Sequence, residues 1–337
     1  MNSLQRVRAA VRFEETDRTP VIAQVFGHAA TLSGVPVDKY VSDGELLARC
    51  QLNALEKYGY DAVFSVMDVS VETEAAGSVL RYPEDGYPVV QEYALAGEFD
   101  CEGLAIPDPH VAGRMPEMLK AVATLRAQLS DEVLVVGCVV GPLTLTTQLL
   151  GMERALYLAV DDPARLERVM DFATDVIVHF GLAQIEAGAH VPIVFNPSAS
   201  PAVVPPPFFR EFELPRLTRV FDAFAQAGCE ENWLHIAGPV AGILPYYPRA
   251  GVRIANFDYC LSAKEVARAL PATCVDGNIR SLAFVEESAS AIAAEAASLV
   301  AAFRGRGGFI LSSGCEIPPE SSPENVAAMV SAAKATR

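Results

Sequence analysis

A chain of 337 residues that is 51% hydrophobic can bury a large core, as one α/β barrel or as two ordinary domains. Its formal charge of −16 excludes a protein that tracks nucleic-acid phosphates, which would need clustered Lys and Arg. The start, Met1 to Arg8, has no apolar signal core and no stretch reaches about 18 uninterrupted apolar residues, so a cytoplasmic protein without membrane contact is expected.

Residues 4–13 read as a short amphipathic helix, broken by Asp17-Arg18-Thr19-Pro20 before a strand over 21–26 that ends at Gly27-His28. A helix over about 42–58, a strand at 62–66 and the run Met67-Asp68-Val69-Ser70-Val71-Glu72 follow. Residues 79–108 set Pro83, Gly86, Pro88 and Pro107 among short β-prone pieces, which predicts an excursion with a hairpin rather than a domain linker.

The second half repeats a beat of strand then helix. A strand over 133–140 leads through Gly141-Pro142 into a helix over 143–150. Asp162 as N-cap and Pro163 at the first helical position open a long helix, with Leu166, Val169, Met170, Ala173, Val176, Ile177 and Phe180 at steps of three and four and Gly188 at its end. The strand 192–195 delivers Asn196-Pro197-Ser198-Ala199-Ser200, and a helix over 205–227 precedes a strand within 231–239 that carries His235 near its tip. A strand over 251–257 ends at Asp258, and 273–276 runs into Gly277-Asn278. Ile292, Ala296, Leu299, Val300 and Phe303 mark the helix before the last strand, Phe309 to Ser313, which hands over Gly314-Cys315-Glu316 ahead of Ser322 and Pro323 at a helix start.

Eight strands, most followed by a helix, predict a single (β/α)8 TIM barrel over 1–337, with a short N-terminal helical segment and a β-rich excursion after the second strand. A doubly wound nucleotide-binding sheet is the rival, but no G-x-G-x-x-G or P-loop pattern follows any strand. Parallel α/β folds do their chemistry at the strand C-terminal ends, so Cys315 and His235 are candidates for one shared site. Asp68 and Glu72 stand four apart beyond a strand with no packing reason to be there. His28, Asn196, Asp258 and Asn278 also follow strands, although Asn196 and Asn278 equally suit turns beside Pro197 and Gly277. Seven scattered cysteines suit reduced thiols; Cys138, Cys229 and Cys274 read as packing residues, as does the pair Tyr246-Tyr247.

The motifs Asn196-Pro197-Ser198-Ala199-Ser200, Leu234-His235-Ile236-Ala237-Gly238, Gly277-Asn278-Ile279 and Ser312-Ser313-Gly314-Cys315-Glu316-Ile317-Pro318 give the chain a family likeness. Together with Tyr58-Gly59-Tyr60-Asp61-Ala62 and Arg81-Tyr82-Pro83-Glu84-Asp85-Gly86, they make it resemble the uroporphyrinogen decarboxylase superfamily, in its branch of corrinoid-dependent methyltransferases. The resemblance implies methyl transfer between a small donor or acceptor and a corrinoid on a partner protein, and a homodimer is compatible with it. It also implies zinc, held by a His-x-Cys pair and a distant Cys, which here match His235 and Cys315. Ala237 stands where the middle cysteine belongs and supplies no donor atom, whereas a zinc centre takes three protein ligands. Glu316, Glu72, Asp68 and Cys260 are the candidates for the missing ligand. The first-strand loop Gly27-His28-Ala29-Ala30-Thr31 lacks the arginines that the resemblance associates with uroporphyrinogen. A metal-free decarboxylase of another acid, with Asp68, Glu72 or Asp258 handling the proton, and a non-catalytic partner of a corrinoid protein are the alternatives.

Overall fold

The computed structural model describes residues 1–97 and 101–335. Eight parallel strands form one sheet: β1 (Val21–Ile22), β2 (Ala62–Phe64), β5 (Leu134–Val140), β6 (Val191–Phe195), β7 (Trp233–His235), β8 (Ile254–Asn256), β9 (Cys274–Ile279) and β10 (Phe309–Ser313). Their order, β1-β10-β9-β8-β7-β6-β5-β2, follows the chain around a nearly closed (β/α)8 barrel. The expected hairpin is present as β3 (Val79–Arg81) antiparallel to β4 (Val89–Glu92). Residues 98–100 of the same excursion lie outside the described residues.

No ladder joins β1 to β2, and a side chain closes that seam. The Asp61 N–H donates to the Val21 carbonyl at 2.8 Å, and the Val21 N–H donates to Asp61 Oδ2 at 2.8 Å. Arg6 and Arg18 hold the same buried carboxylate at 2.7 to 2.9 Å. Inside the barrel, Phe26 meets Phe64 at a centroid distance of 5.1 Å and Phe195 at 5.8 Å, and Phe64 meets Trp233 at 6.1 Å. Each such ring contributes roughly 1.5–3 kcal/mol by leaving water, and together they fill the barrel so that only its mouth is open to chemistry.

The long helix Pro163–Glu186 starts as its sequence dictates, with the Asp162 side chain accepting the Arg165 N–H at 3.1 Å. Asp43 caps Gly44–Tyr58 in the same manner. Three local expectations needed correction. The first strand stops at Ile22 because the Val25 N–H turns back onto the Ala23 carbonyl, leaving only a bridge from Val25 to Ile317. His28 therefore falls inside a helix, Gly27–Leu32, instead of at a strand tip. The helix foreseen over 205–227 contains a π turn at Phe209–Glu213 just ahead of Pro215, which has no N–H to continue the ladder.

Candidate active site

Side chains alternate along β7, so His235 faces the barrel interior like Trp233, one layer nearer the mouth. Its ring lies 4.7 Å from that of Phe195, the residue paired with it on β6. Only 2% of His235 is exposed, and neither ring nitrogen has a hydrogen-bond partner within the chain. Burial pushes its pKa down to about 3, so the ring is a neutral acceptor at physiological pH. A buried imidazole with two idle nitrogens is costly for folding alone, which is the first physical sign of a site.

The register places a second polar group beside it. Trp233 pairs with Ile254, so Asn256 comes level with His235, and Asn256 itself pairs with Asp276. Asn256 donates to Asp276 Oδ2 at 3.0 Å and Trp233 donates to Asp276 Oδ1 at 2.9 Å, while Asn256 Oδ1 has no partner. Desolvation raises the Asp276 carboxyl to about 7. The sequence reading placed Asp276 in a strand without giving it a role. The available signal was a polar side chain following an apolar run, and the same holds for Asn256.

Cys315 lies two residues beyond β10, with its thiol raised to about 11, first by burial and then by the charges of Glu316 and Asp258. Asp258 binds the neighbouring loops: its Oδ2 accepts the Gly238 N–H at 2.9 Å and its Oδ1 accepts the Tyr259 N–H at 2.7 Å. Asn278 supports that loop by donating to the carbonyls of Asp258 and Leu261 at 3.2 and 2.8 Å. Ser200 in turn donates to the Ala237 carbonyl at 2.9 Å, fixing the turn after His235. These contacts give Asp258 and Asn278 scaffold partners at the mouth.

The other candidates are committed to different partners. Glu316 Oε1 accepts from the Tyr87 hydroxyl and, at 3.2 Å, from the Gly27 N–H, and burial raises it to about 7. Tyr87, in the turn between β3 and β4, thereby fastens the hairpin beside Cys315, a link that no sequence pattern announced. Glu72 is buried and accepts the Val140 N–H at 2.8 Å, with desolvation lifting it to about 7. Asp68 does have a structural reason: it pairs with Arg114, which also holds Glu74 at 2.8 Å, and it accepts the Ser70 N–H at 2.8 Å. Asn196 accepts from Thr144 at 2.9 Å and donates to the buried Glu213. His28 has both ring nitrogens occupied, by the Tyr58 hydroxyl at 2.8 Å and the Pro319 carbonyl at 3.2 Å. Cys260 is exposed, and Cys138, Cys229 and Cys274 are buried.

Among the described residues, no three His, Cys, Asp or Glu side chains come together as ligands for a metal ion. His235 has the idle nitrogens a ligand needs, but with Ala237 between it and Cys315 the residues present do not fit a three-ligand centre.

A family model, uroporphyrinogen decarboxylase (URO-D), matches residues 2–336. The chain belongs to the uroporphyrinogen decarboxylase family. Among relatives within this family, the methylated-thiol–coenzyme M methyltransferase of Methanosarcina mazei is 27% identical over 262 residues, covering 77% of this chain and 70% of that protein. The methylcobamide:CoM methyltransferase MtaA of Methanosarcina barkeri is 25% identical, over 97% of this chain and 96% of its own. A solved methyltransferase from Methanosarcina mazei superposes with a TM-score of 0.90 at 28% identity, covering 99% of this chain and 98% of that one.

Proposed function

We propose that this protein is a methyltransferase that moves a methyl group between a small methylated substrate or thiol acceptor and a corrinoid carried by a separate protein. The observation that carries the reading is the end-to-end likeness to the Methanosarcina mazei methyltransferase, a TM-score of 0.90 at 28% identity. The names of the relatives, methylcobamide:CoM methyltransferases among them, support it.

The corrinoid would supply the cobalt that takes or gives the methyl group. Residues 2–336 match the uroporphyrinogen decarboxylase model, and the reading assigns the corrinoid to a partner protein. An apolar rim supports that assignment: Val69, Val203, Tyr259 and Leu282, on the loops after β2, β6, β8 and β9, are 37 to 57% exposed. Within the site, the neutral ring of His235 leaves an unshared lone pair facing the barrel interior, while Glu72, Asp276 and Glu316, each raised to about 7, can hold or release a proton at neutral pH. His235 and Cys315 would be the donors to zinc, but the missing third donor means that no step is routed through it.

The thiols of Cys50, Cys138, Cys229, Cys260, Cys274 and Cys315 are free, which supports a reducing setting. No helix among the described residues is long and apolar enough to cross a membrane. A homodimer is part of the same reading and is checked by light scattering. The decisive assay mixes the protein with cob(I)alamin and methyl donors and follows the corrinoid absorbance. Spectral conversion to methylcobalamin supports the proposal. Release of carbon dioxide from a carboxylic acid without any corrinoid change would replace it with a decarboxylase.

A further inference from the structure

The site has an imbalance of charge that its reaction must answer. Three cations are buried among the described residues, and carboxylates engage each of them. Arg6 is held by Asp17 and Asp61, Arg114 by Asp68 and Glu74, and Arg216 by Asp171. Arg280, next to the end of β9, pairs with Glu286 at the surface. The mouth side of the barrel instead collects acceptors. The neutral His235 ring has one acceptor nitrogen and one N–H without a partner, and the oxygens Asn256 Oδ1 and Gln24 Oε1 are buried without a donor. Asp276, level with His235 through Asn256, and Glu72, Glu316 and Asp258, on or after the strands, add four carboxyl groups, each accepting hydrogen bonds from the chain.

An anionic substrate entering this site would lose its water and meet no unengaged buried cation among the described residues, which costs several kcal/mol or more. A cation meets the reverse: acceptors already desolvated, the aromatic ring of Phe195 4.7 Å from the imidazole, and a net charge of −16 that concentrates cations at the surface. We infer that the methyl group handled here is carried on a cationic nitrogen, so that the substrate class is a methylated ammonium compound rather than an anionic thioether or thiol. The inference deepens the methyl-transfer reading and rests on it for its kinetic arm only.

The chemistry accounts for the incomplete metal site as well. When the C–N bond of a quaternary ammonium breaks, its electron pair stays on nitrogen, and the methyl carbon bonds to the cobalt of the reduced corrinoid. The amine leaves uncharged and takes no proton. Charge on the leaving group falls to zero without help, so neither a Lewis acid nor a third zinc ligand in place of Ala237 is required.

The kinetic and binding arms use wild-type protein treated with chelator and freed of it, so neither depends on a variant folding. In the kinetic arm, cob(I)alamin is offered tetramethylammonium, dimethyl sulfide or 3-(methylthio)propanoate. The expected result is a kcat/KM at least about tenfold higher for tetramethylammonium than for either other donor, a gap of about 1.4 kcal/mol. Preference for the propanoate, or activity that chelation abolishes and zinc restores, would overturn the inference. In the binding arm, calorimetry compares tetramethylammonium chloride with sodium 3-(methylthio)propanoate. Tighter binding of the cation supports the inference even if no donor methylates the corrinoid, a result that would sink the methyl-transfer reading alone; tighter binding of the anion overturns it. Asp276→Asn adds a third readout: KM for tetramethylammonium should rise about tenfold, with a smaller change for dimethyl sulfide.

Discussion

Asp258 Oδ1 lies 2.6 Å from the position a Cβ on Gly314 would occupy. The same carboxylate accepts the Gly238 N–H, so one side chain braces the turn that follows His235 against the turn that presents Cys315. Gly314→Ala must push Asp258 away, and overpacking of this kind costs roughly 1–3 kcal/mol. We expect methyl-transfer activity to fall by about tenfold or more, with a loss of only a few degrees in Tm. Unchanged activity in the alanine variant would show that the brace is irrelevant to the site.

Asp276 gives stability a pH dependence with a definite sign. Its carboxyl is raised from 3.8 in the unfolded chain to about 7 in the fold, so its contribution is fully present below about pH 4 and is lost as pH rises toward 7. Asp276→Asn removes this slope. Relative to wild type, the variant should gain stability between pH 4 and 7, by an amount on the order of a few kcal/mol at most. Urea unfolding at both pH values is the measurement, and parallel curves would contradict the assignment.

His235 acts on the acid side. Its pKa is depressed from 6.5 to about 3, so the stability of the neutral buried ring is present above 6.5 and lost as pH falls toward 3. His235→Gln should therefore flatten the acid limb of the stability profile while reducing methyl transfer. A His235 imidazole signal, assigned by its loss in the variant, that titrates near 6.5 in the folded protein would refute the burial argument.

Arg114 holds Asp68 and Glu74 and stacks 5.3 Å from the ring of Tyr82 in the hairpin segment. Arg114→Ala leaves the Asp68 carboxylate buried without its cation, a defect that costs about 3–5 kcal/mol. Thermal unfolding should show the loss, and limited proteolysis should cut the segment 79–92 faster. Retention of wild-type Tm would mean that water replaces the guanidinium.

Metal content tests the zinc centre that the resemblance implies. Wild-type protein purified without added zinc should hold far less than one equivalent, because only His235 and Cys315 match the implied ligands. Ala237→Cys supplies the third donor type at the implied spacing and should raise zinc occupancy to near one equivalent by elemental analysis. A wild-type protein already saturated with zinc would reverse that expectation.

The barrel was legible because strand and helix starts are written locally. Asp162-Pro163 signals a helix start whatever the tertiary context, and the apolar steps from Leu166 to Phe180 give its buried face. His235 and Cys315 were legible because they interrupt apolar strands or follow them at a glycine. Asp68 and Glu72 looked alike in sequence, four residues apart, yet Arg114 engages one and the Val140 N–H the other. No spacing rule could have separated them, since both partners arrive from later elements. Asn256 and Asp276 were missed for a related reason: their meeting with His235 depends on the register among β7, β8 and β9.

The seam at Asp61 gives the barrel a weakest line. Every other neighbouring pair of strands is held by a ladder, whereas β1 and β2 meet through two hydrogen bonds centred on one aspartate and its arginines. Opening that clasp requires breaking one side-chain cluster rather than a row of backbone bonds, so transient breathing of the barrel concentrates there. Deuterium should enter the amides of Val21 and Asp61 ahead of those in the centre of β5 or β9.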